Sequence, residues 1–82
     1  MKRNEIREKI TTIFHDVFND DSIVINDSTT SDDIEDWDSL SHFILISEIE
    51  NAFNYKFSMK EVLEMKNTGE MIDILMKYQG EF

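Results

Sequence analysis

The 82-residue sequence contains no cysteine. Disulfide bonds and thiolate zinc sites are therefore excluded, and any sulfur chemistry has to come from a group added to the chain. No apolar run is long enough to span a membrane or to follow Met1-Lys2-Arg3 as the core of a secretory signal. The length leaves room for one small hydrophobic core, so we expect a single domain over residues 1–82. Because the sequence contains no cysteine and no long apolar run, we expect the protein in the cytoplasm.

Basic residues are absent from more than half of the chain. Between Ile10 and Tyr55 there is no lysine or arginine, whereas eleven residues are aspartate or glutamate. This acidic stretch therefore carries a charge of −11 and the rest of the chain +1, which gives the net charge of −10. Such a surface repels nucleic acids and anionic lipids, and it favours protein partners that present a basic surface. A solvated acidic surface without a specific partner is the other interpretation of the charge alone.

The spacing of apolar residues predicts an all-α fold with three principal helices and one short helix. The segment before Ser39 has turn-forming residues without helical periodicity, so we expect a long ordered loop there. The first predicted helix ends near Asn19 and has Ile6, Ile10, Ile13, Phe14, Val17 and Phe18 on one face; the loop that follows is held to the core by Ile23, Ile25 and Ile34. The second helix is predicted from Ser39 to Phe53 with Asp36 or Asp38 as N-cap, and the short third helix from Met59 to about Met65 with Ser58 as cap and Val62 and Leu63 inward. The last helix is opened by Asn67 and Glu70, has Met71, Ile72, Leu75 and Tyr78 inward, and is followed by a frayed end from Gly80 to Phe82.

The second helix has apolar residues on two sides. Leu40 and Ile44 form a stripe apart from the inward face, and we predict that they contact partner proteins, together with the acidic residues Asp36 and Glu48. Burial of this stripe under the third helix or the loop is the alternative. The residues predicted to face inward are Phe43, Leu45, Ile46, Ile49 and Phe53.

The tetrapeptide Trp37-Asp38-Ser39-Leu40 closes the loop and places a serine hydroxyl at the start of the second helix. With this motif and this order of elements, the chain resembles the acyl carrier protein family over essentially its whole length. The Trp-Asp-Ser-Leu form is similar to stand-alone carriers of specialised pathways, including those for surface polysaccharides, secondary metabolites and aminoacyl groups. The residues that carry the resemblance are Ile34, Trp37-Asp38-Ser39-Leu40, Ile49-Glu50, Phe53, Phe57 and Ile72-Asp73.

The resemblance implies a four-helix carrier that catalyses no reaction itself. Ser39, within Asp38-Ser39-Leu40, would receive 4′-phosphopantetheine from coenzyme A, and the thiol of that arm would hold an acyl or aminoacyl cargo as a thioester. The implied partners are a phosphopantetheinyl transferase (holo-carrier synthase) and acyl-activating or acyl-transferring enzymes with basic docking surfaces. We expect a monomer that binds no metal and no nucleic acid. The helix start would offer backbone N–H groups to the phosphate, a minor aid because acids lie nearby.

Other functions fit the residues less well. A serine hydrolase would need a Gly-x-Ser-x-Gly motif and donors for an oxyanion, which this sequence lacks. A calcium-binding loop that starts at Asp36 has Ser41 where glycine belongs and Ser47 where the bidentate glutamate belongs. His42 follows Asp38 by four residues, which permits a local ion pair of structural importance. A small helical interaction module without covalent modification remains the alternative to a carrier.

Overall fold

The structure is a computed structural model and describes residues 2–79. It contains four α-helices, α1 (Arg3–Phe18), α2 (Ser39–Phe53), α3 (Met59–Glu64) and α4 (Thr68–Gln79), and within residues 2–79 there is no strand. The predicted all-α architecture is confirmed, including the short third helix. The predicted fraying from Gly80 to Phe82 lies outside the described residues. No helix in residues 2–79 is long and apolar enough to cross a membrane.

Local sequence signals explain where the helices begin and end. Asn19 and Asn54 follow α1 and α2 in the left-handed conformation, with φ of 50° and 52°. Asparagine tolerates that conformation better than most residues, and it allows the chain to turn away from the helix axis. Before α3, the Ser58 hydroxyl accepts a hydrogen bond from the Glu61 N–H, and the Glu61 carboxylate accepts one from the Ser58 N–H. Ser58 therefore caps α3, as the sequence predicted.

The hydrophobic core lies between α1, α2 and α4, with α1 packed against both of the others. Each of the three helices contributes one stripe, and the loops add apolar side chains at the ends. The buried core residues are Ile6, Ile10 and Phe14 of α1; Leu45, Ile46, Ile49 and Phe53 of α2; Val62 of α3; Met71, Ile72 and Leu75 of α4; and Ile25, Ile34, Trp37 and Phe57 of the connecting segments.

Two residues that were predicted to face inward do not. Phe43 is 51% exposed, because it lies one turn after Ser39, at the edge of the inward stripe of α2. Leu63 is 72% exposed, because α3 has only six residues and buries a single position, Val62. The next residue along a helix is rotated by about 100°, which turns Leu63 away from the core.

The long loop between α1 and α2 is ordered by its contact with the start of α4. The Thr68 N–H donates to the Thr29 carbonyl and the Gly69 N–H donates to the Asp27 carbonyl, both at 2.9 Å. The first N–H groups of a helix have no partner within the helix, so the loop supplies the acceptors that α4 lacks. A Cβ atom on Gly69 would lie 2.5 Å from the Asp27 carbonyl oxygen, which explains why glycine occupies this position.

Ionic contacts reinforce the same junction. Arg3 and Arg7 of α1 contact the Asp27 carboxylate at 3.1 and 3.2 Å, and Arg3 also contacts Asp73 of α4 at 2.6 Å. The hydrogen bond from Arg7, with the further contact to Arg3, lowers the pKa of Asp27 below its usual value. The loop is thus tied to two helices. Ile25 and Ile34 of the loop are buried in the core, as predicted.

Substitution of two isoleucines of α2 tests which face of this helix is buried in the core. Ile49→Ala should lower the free energy of unfolding by about 2–5 kcal/mol, because Ile49 is fully buried and the change leaves a cavity. Ile44→Ala is the matched control: Ile44 is half exposed, so the same change should cost well under about 1 kcal/mol. Urea unfolding followed by circular dichroism measures both. Equal losses in the two variants would show that the assignment of the buried face is wrong.

Candidate functional site

Asp38 is the N-cap residue of α2. Its Oδ1 atom accepts hydrogen bonds from the backbone N–H groups of Leu40 at 3.0 Å and Ser41 at 2.9 Å. These bonds, that from Ser41 above all, lower the pKa of Asp38 because they stabilise the ionised carboxylate. Of the two candidates that the sequence offered for the N-cap, Asp38 and Asp36, the structure selects Asp38.

The two serines of this helix start have different environments. The Ser41 hydroxyl accepts a hydrogen bond from the Asp38 N–H and donates to the Asp36 carbonyl, both at 2.8 Å. Within residues 2–79, by contrast, the Ser39 hydroxyl makes no hydrogen bond, and Ser39 is exposed. Ser41 is therefore part of the cap, whereas the Ser39 oxygen is free to react.

Trp37 anchors the helix start in the core. It is 8% exposed, and its ring meets the ring of Phe14 edge to face, with centroids 5.2 Å apart. Aromatic pairs favour this geometry because the positive edge of one ring meets the negative face of the other. Since Trp37 immediately precedes the Asp38 cap, its burial determines where Ser39 lies relative to the bundle.

His42 connects the helix start to α3. The indole N–H of Trp37 donates to Nδ1 of His42 at 3.1 Å, and Nε2 of His42 lies 3.3 Å from the Val62 carbonyl oxygen. The indole only donates and the carbonyl only accepts, so Nδ1 is unprotonated and Nε2 carries the proton. The ion pair between His42 and Asp38 that their spacing permitted is absent from the described residues, because both groups bind elsewhere.

An open cavity of about 400 Å³ lies beside Ser39, between the start of α2 and the end of α3. We call it the Ser39 groove. Its walls combine apolar side chains with an equal number of polar or charged ones. The lining residues are Ser31, Trp37, Asp38, Ser39, His42, Phe43, Val62, Leu63, Met65 and Lys66.

The residues predicted to contact partners are all exposed. Leu40 is 74% exposed and Ile44 is 50% exposed, so neither α3 nor the loop covers them within residues 2–79. Glu48 follows at the same spacing and is exposed on the same side of α2, and Asp36 is exposed just before the helix. None of these four residues lines the groove.

Several groove residues were not identified from the sequence as site residues. Phe43 carried a usable signal, because it lies four residues after Ser39 and so shares its side of the helix. The residues from α3 and its following connection, among them Leu63, Met65 and Lys66, gave no local signal. They reach the groove only through the packing of α3 against α2, which the bond from His42 to Val62 helps to maintain.

Comparisons with known proteins show the family of the chain. A family model described as a phosphopantetheine attachment site matches residues 8–75. A solved structure of a holo acyl carrier protein from Geobacter metallireducens is 40% identical, covers 92% of this chain and 86% of that chain, and superposes with a TM-score of 0.85. No curated protein sequence matches the chain.

The chain therefore belongs to the acyl carrier protein family, as its motif and element order predicted. It is a carrier with a 4′-phosphopantetheine prosthetic group, and proteins of this family serve other enzymes rather than catalyse reactions themselves. Their partners include a phosphopantetheinyl transferase and the enzymes of a biosynthetic pathway.

The residues at the start of α2 fit such a prosthetic group. The Ser39 hydroxyl is exposed, carries no hydrogen bond within residues 2–79, and opens onto a groove with space for part of a flexible arm. The backbone N–H groups of Leu40 and Ser41 were expected to assist the phosphate. They already donate to Asp38, so they contribute less to a phosphate at Ser39 than the helix start alone suggests.

The cap predicts a pH-dependent contribution to stability. Asp38→Ala should lower the melting temperature at pH 7, because two backbone N–H groups lose their acceptor. The pKa of Asp38 is depressed in the folded state, so this stabilisation is present above the unfolded value of about 3.9 and is lost as pH falls through the folded value. The gap between wild type and variant should therefore narrow on acidification.

Thermal unfolding of the two proteins across pH 2–7 measures this gap. Asp38→Asn is the control, because its amide oxygen accepts the same bonds without titrating. It should lie closer to wild type than the alanine variant does at pH 7. A gap between wild type and Asp38→Ala that does not change with pH would show that the charge of Asp38 contributes nothing to the cap.

Proposed function

We propose that this chain carries an acyl or aminoacyl intermediate as a thioester on a 4′-phosphopantetheine arm attached to Ser39, and that it presents this intermediate to separate enzymes. The arm supplies the thiol that the cysteine-free chain lacks. The remaining tasks belong to the protein: Ser39 provides the oxygen for the phosphodiester, Asp38 keeps the helix start in place, and Leu40 presents an apolar side chain beside the attachment point.

The contrast between Ser39 and Ser41 is the observation that carries this proposal. Both serines lie in the first turn of α2, yet only the Ser41 hydroxyl is engaged in hydrogen bonds among the described residues. When a serine oxygen attacks the β-phosphate of coenzyme A, its proton passes to a base and adenosine 3′,5′-bisphosphate leaves as the diphosphate bond breaks. The hydroxyl therefore has to be accessible and not bonded within the carrier. Ser39 meets both conditions.

The surface around Ser39 supports a protein partner rather than a membrane or a nucleic acid. The acidic stretch from Ile10 to Tyr55 surrounds an apolar stripe formed by Leu40 and Ile44. Apolar contacts supply affinity at an interface, and surrounding charges set the approach and the choice of partner. We therefore assign docking of the transferase, and of acyl-activating or acyl-transferring enzymes with basic surfaces, to Leu40, Ile44, Asp36 and Glu48.

The pair Asp36-Trp37 supports a specialised pathway over bulk fatty acid synthesis, since fatty-acid-type carriers usually have Gly-Ala or Gly-Ile before Asp-Ser-Leu. The candidate cargoes are groups for surface polysaccharides, secondary metabolites or aminoacyl transfer. With no long apolar segment and an acidic exterior, we assign the carrier to the cytoplasm as a monomer.

Mass spectrometry tests the attachment point. Incubation with a broad-specificity phosphopantetheinyl transferase, magnesium and coenzyme A should add one arm to the wild type and none to Ser39→Ala. Ser41→Ala is the matched control: it removes a hydroxyl two residues away and weakens the cap, yet it should still gain one arm. Modification that persists in Ser39→Ala, or that disappears only in Ser41→Ala, would contradict the assignment.

Ile44→Glu tests the docking surface. The variant should keep the helical circular dichroism spectrum, because Ile44 is half exposed, while kcat/KM for the transferase falls on the order of tenfold through the loss of apolar contact. Thr12→Glu adds the same charge on the exposed side of α1 and should leave the rate near that of wild type. Equal rates for both variants would exclude Ile44 from the interface, and loss of helicity would place it in the core.

A further inference from the structure

The Ser39 groove contains a single lysine or arginine. The chain has eight such residues, all within the described residues 2–79, and Lys66 is the one that lines the groove. Lys66 lies in the connection between α3 and α4, and its ammonium group makes no ion pair with any described residue. A flexible cation with three available donors therefore shares a cavity with the free hydroxyl of Ser39.

The cations of α1 have other contacts. Arg3 and Arg7 bind the Asp27 carboxylate at the junction of the loop with α4. The Lys9 ammonium lies over the ring of Phe53, 5.1 Å from its centroid. None of these residues lines the Ser39 groove, so none of them compensates negative charge there.

Other donors near Ser39 are also occupied. The Leu40 and Ser41 N–H groups donate to the Asp38 carboxylate, and the His42 N–H donates to the Asp38 carbonyl at 2.9 Å. Both ring nitrogens of His42 are engaged as well, one with Trp37 and one with the Val62 carbonyl. The exception is the backbone N–H of Ser39 itself, which has no acceptor among the described residues. The imidazole has no free donor for an anion at Ser39.

A phosphodiester at Ser39 would add a negative charge next to Asp38 and close to Asp36, in a stretch without any basic residue. Like charges at such separations repel, and the repulsion is stronger beside a protein wall than in bulk water. An ammonium group that lines the same groove offsets such repulsion and donates hydrogen bonds to phosphate oxygens.

We propose that Lys66 binds the phosphate that joins the arm to Ser39. This inference rests on Ser39 being the attachment point. The contact links α2 to the connection between α3 and α4, and it holds the first part of the arm inside the groove rather than in open solvent. Lys66 is thus a positioning residue for the arm and takes no part in bond formation.

The first test compares melting temperatures of the modified and unmodified forms of four proteins: wild type, Lys66→Gln, Lys66→Arg and Lys60→Gln. Lys60 is the matched control, because it is an exposed lysine of α3 that does not line the groove. Mass spectrometry first establishes that each modified form carries one arm. A wild type that gains no arm at Ser39 would overturn the proposed function itself, separately from the role of Lys66.

The melting temperature of the modified form minus that of the unmodified form should be lower in Lys66→Gln than in wild type by about 2–6 °C. This is the effect of losing one exposed ionic contact in a domain of this size. Lys66→Arg keeps the charge and should behave like wild type, as should Lys60→Gln. If modification shifts the melting temperature of all four proteins by the same amount, the proposal is overturned.

Nuclear magnetic resonance provides a second readout, which does not depend on thermal unfolding. On modification, the side-chain ¹⁵Nζ resonance of Lys66 should shift while that of Lys60 stays in place, and the ³¹P resonance of the phosphodiester should show a contact to the Lys66 side chain. In Lys66→Gln the ³¹P chemical shift of the phosphodiester should move towards the value of a phosphopantetheine phosphodiester that is free in solution. An unshifted Lys66 resonance in the modified wild type would refute phosphate binding by this residue.

Discussion

Two backbone hydrogen bonds between the loop and the first turn of α4 hold the site in place. They join Thr29 to Thr68 and Asp27 to Gly69, residues about forty positions apart in the chain. A loop of this length would otherwise retain much of its conformational entropy, because few of its residues enter the core. Once it is tied to α4, Ile34 and Trp37 are brought to the core beside α1 and α2. The position of Ser39 follows from that of Trp37.

At the start of α2, Asp38 and Ser41 form hydrogen bonds that stabilise the helix, whereas the Ser39 hydroxyl forms none with the described residues. The Asp38 carboxylate accepts from the Leu40 and Ser41 N–H groups, and the Ser41 hydroxyl accepts from the Asp38 N–H. These bonds stabilise the helix start without any contribution from the Ser39 side chain. A rigid support and an unengaged nucleophilic oxygen are both needed at a modification site. The cost is electrostatic, since the same cap places a carboxylate next to the position of a phosphate. Lys66, which comes from a different part of the chain, offsets that cost across the groove.

The exposed surface of α2 combines features that stability alone does not explain. Leu40, Phe43 and Ile44 are exposed apolar side chains in the most acidic part of the molecule, and Leu63 of α3 adds to them across the groove. Solvent exposure of several large apolar groups in one region costs solubility and contributes no packing energy. Their position around Ser39 is consistent with a family whose members pass their cargo to a series of enzymes.

The sequence by itself determined the helical class, the approximate helix boundaries and the place of Ser39 at the start of α2. These features depend on local physics: apolar periodicity, side-chain caps at Asp38 and Ser58, and a motif of adjacent residues. Tertiary structure decided the rest. Phe43 and Leu63 are exposed because of how α2 and α3 meet, His42 binds Trp37 and Val62 rather than Asp38, and Lys66 reaches the groove beside Ser39. Contacts of this kind join residues distant in sequence, and their formation depends on the packing of whole helices, which no local pattern encodes.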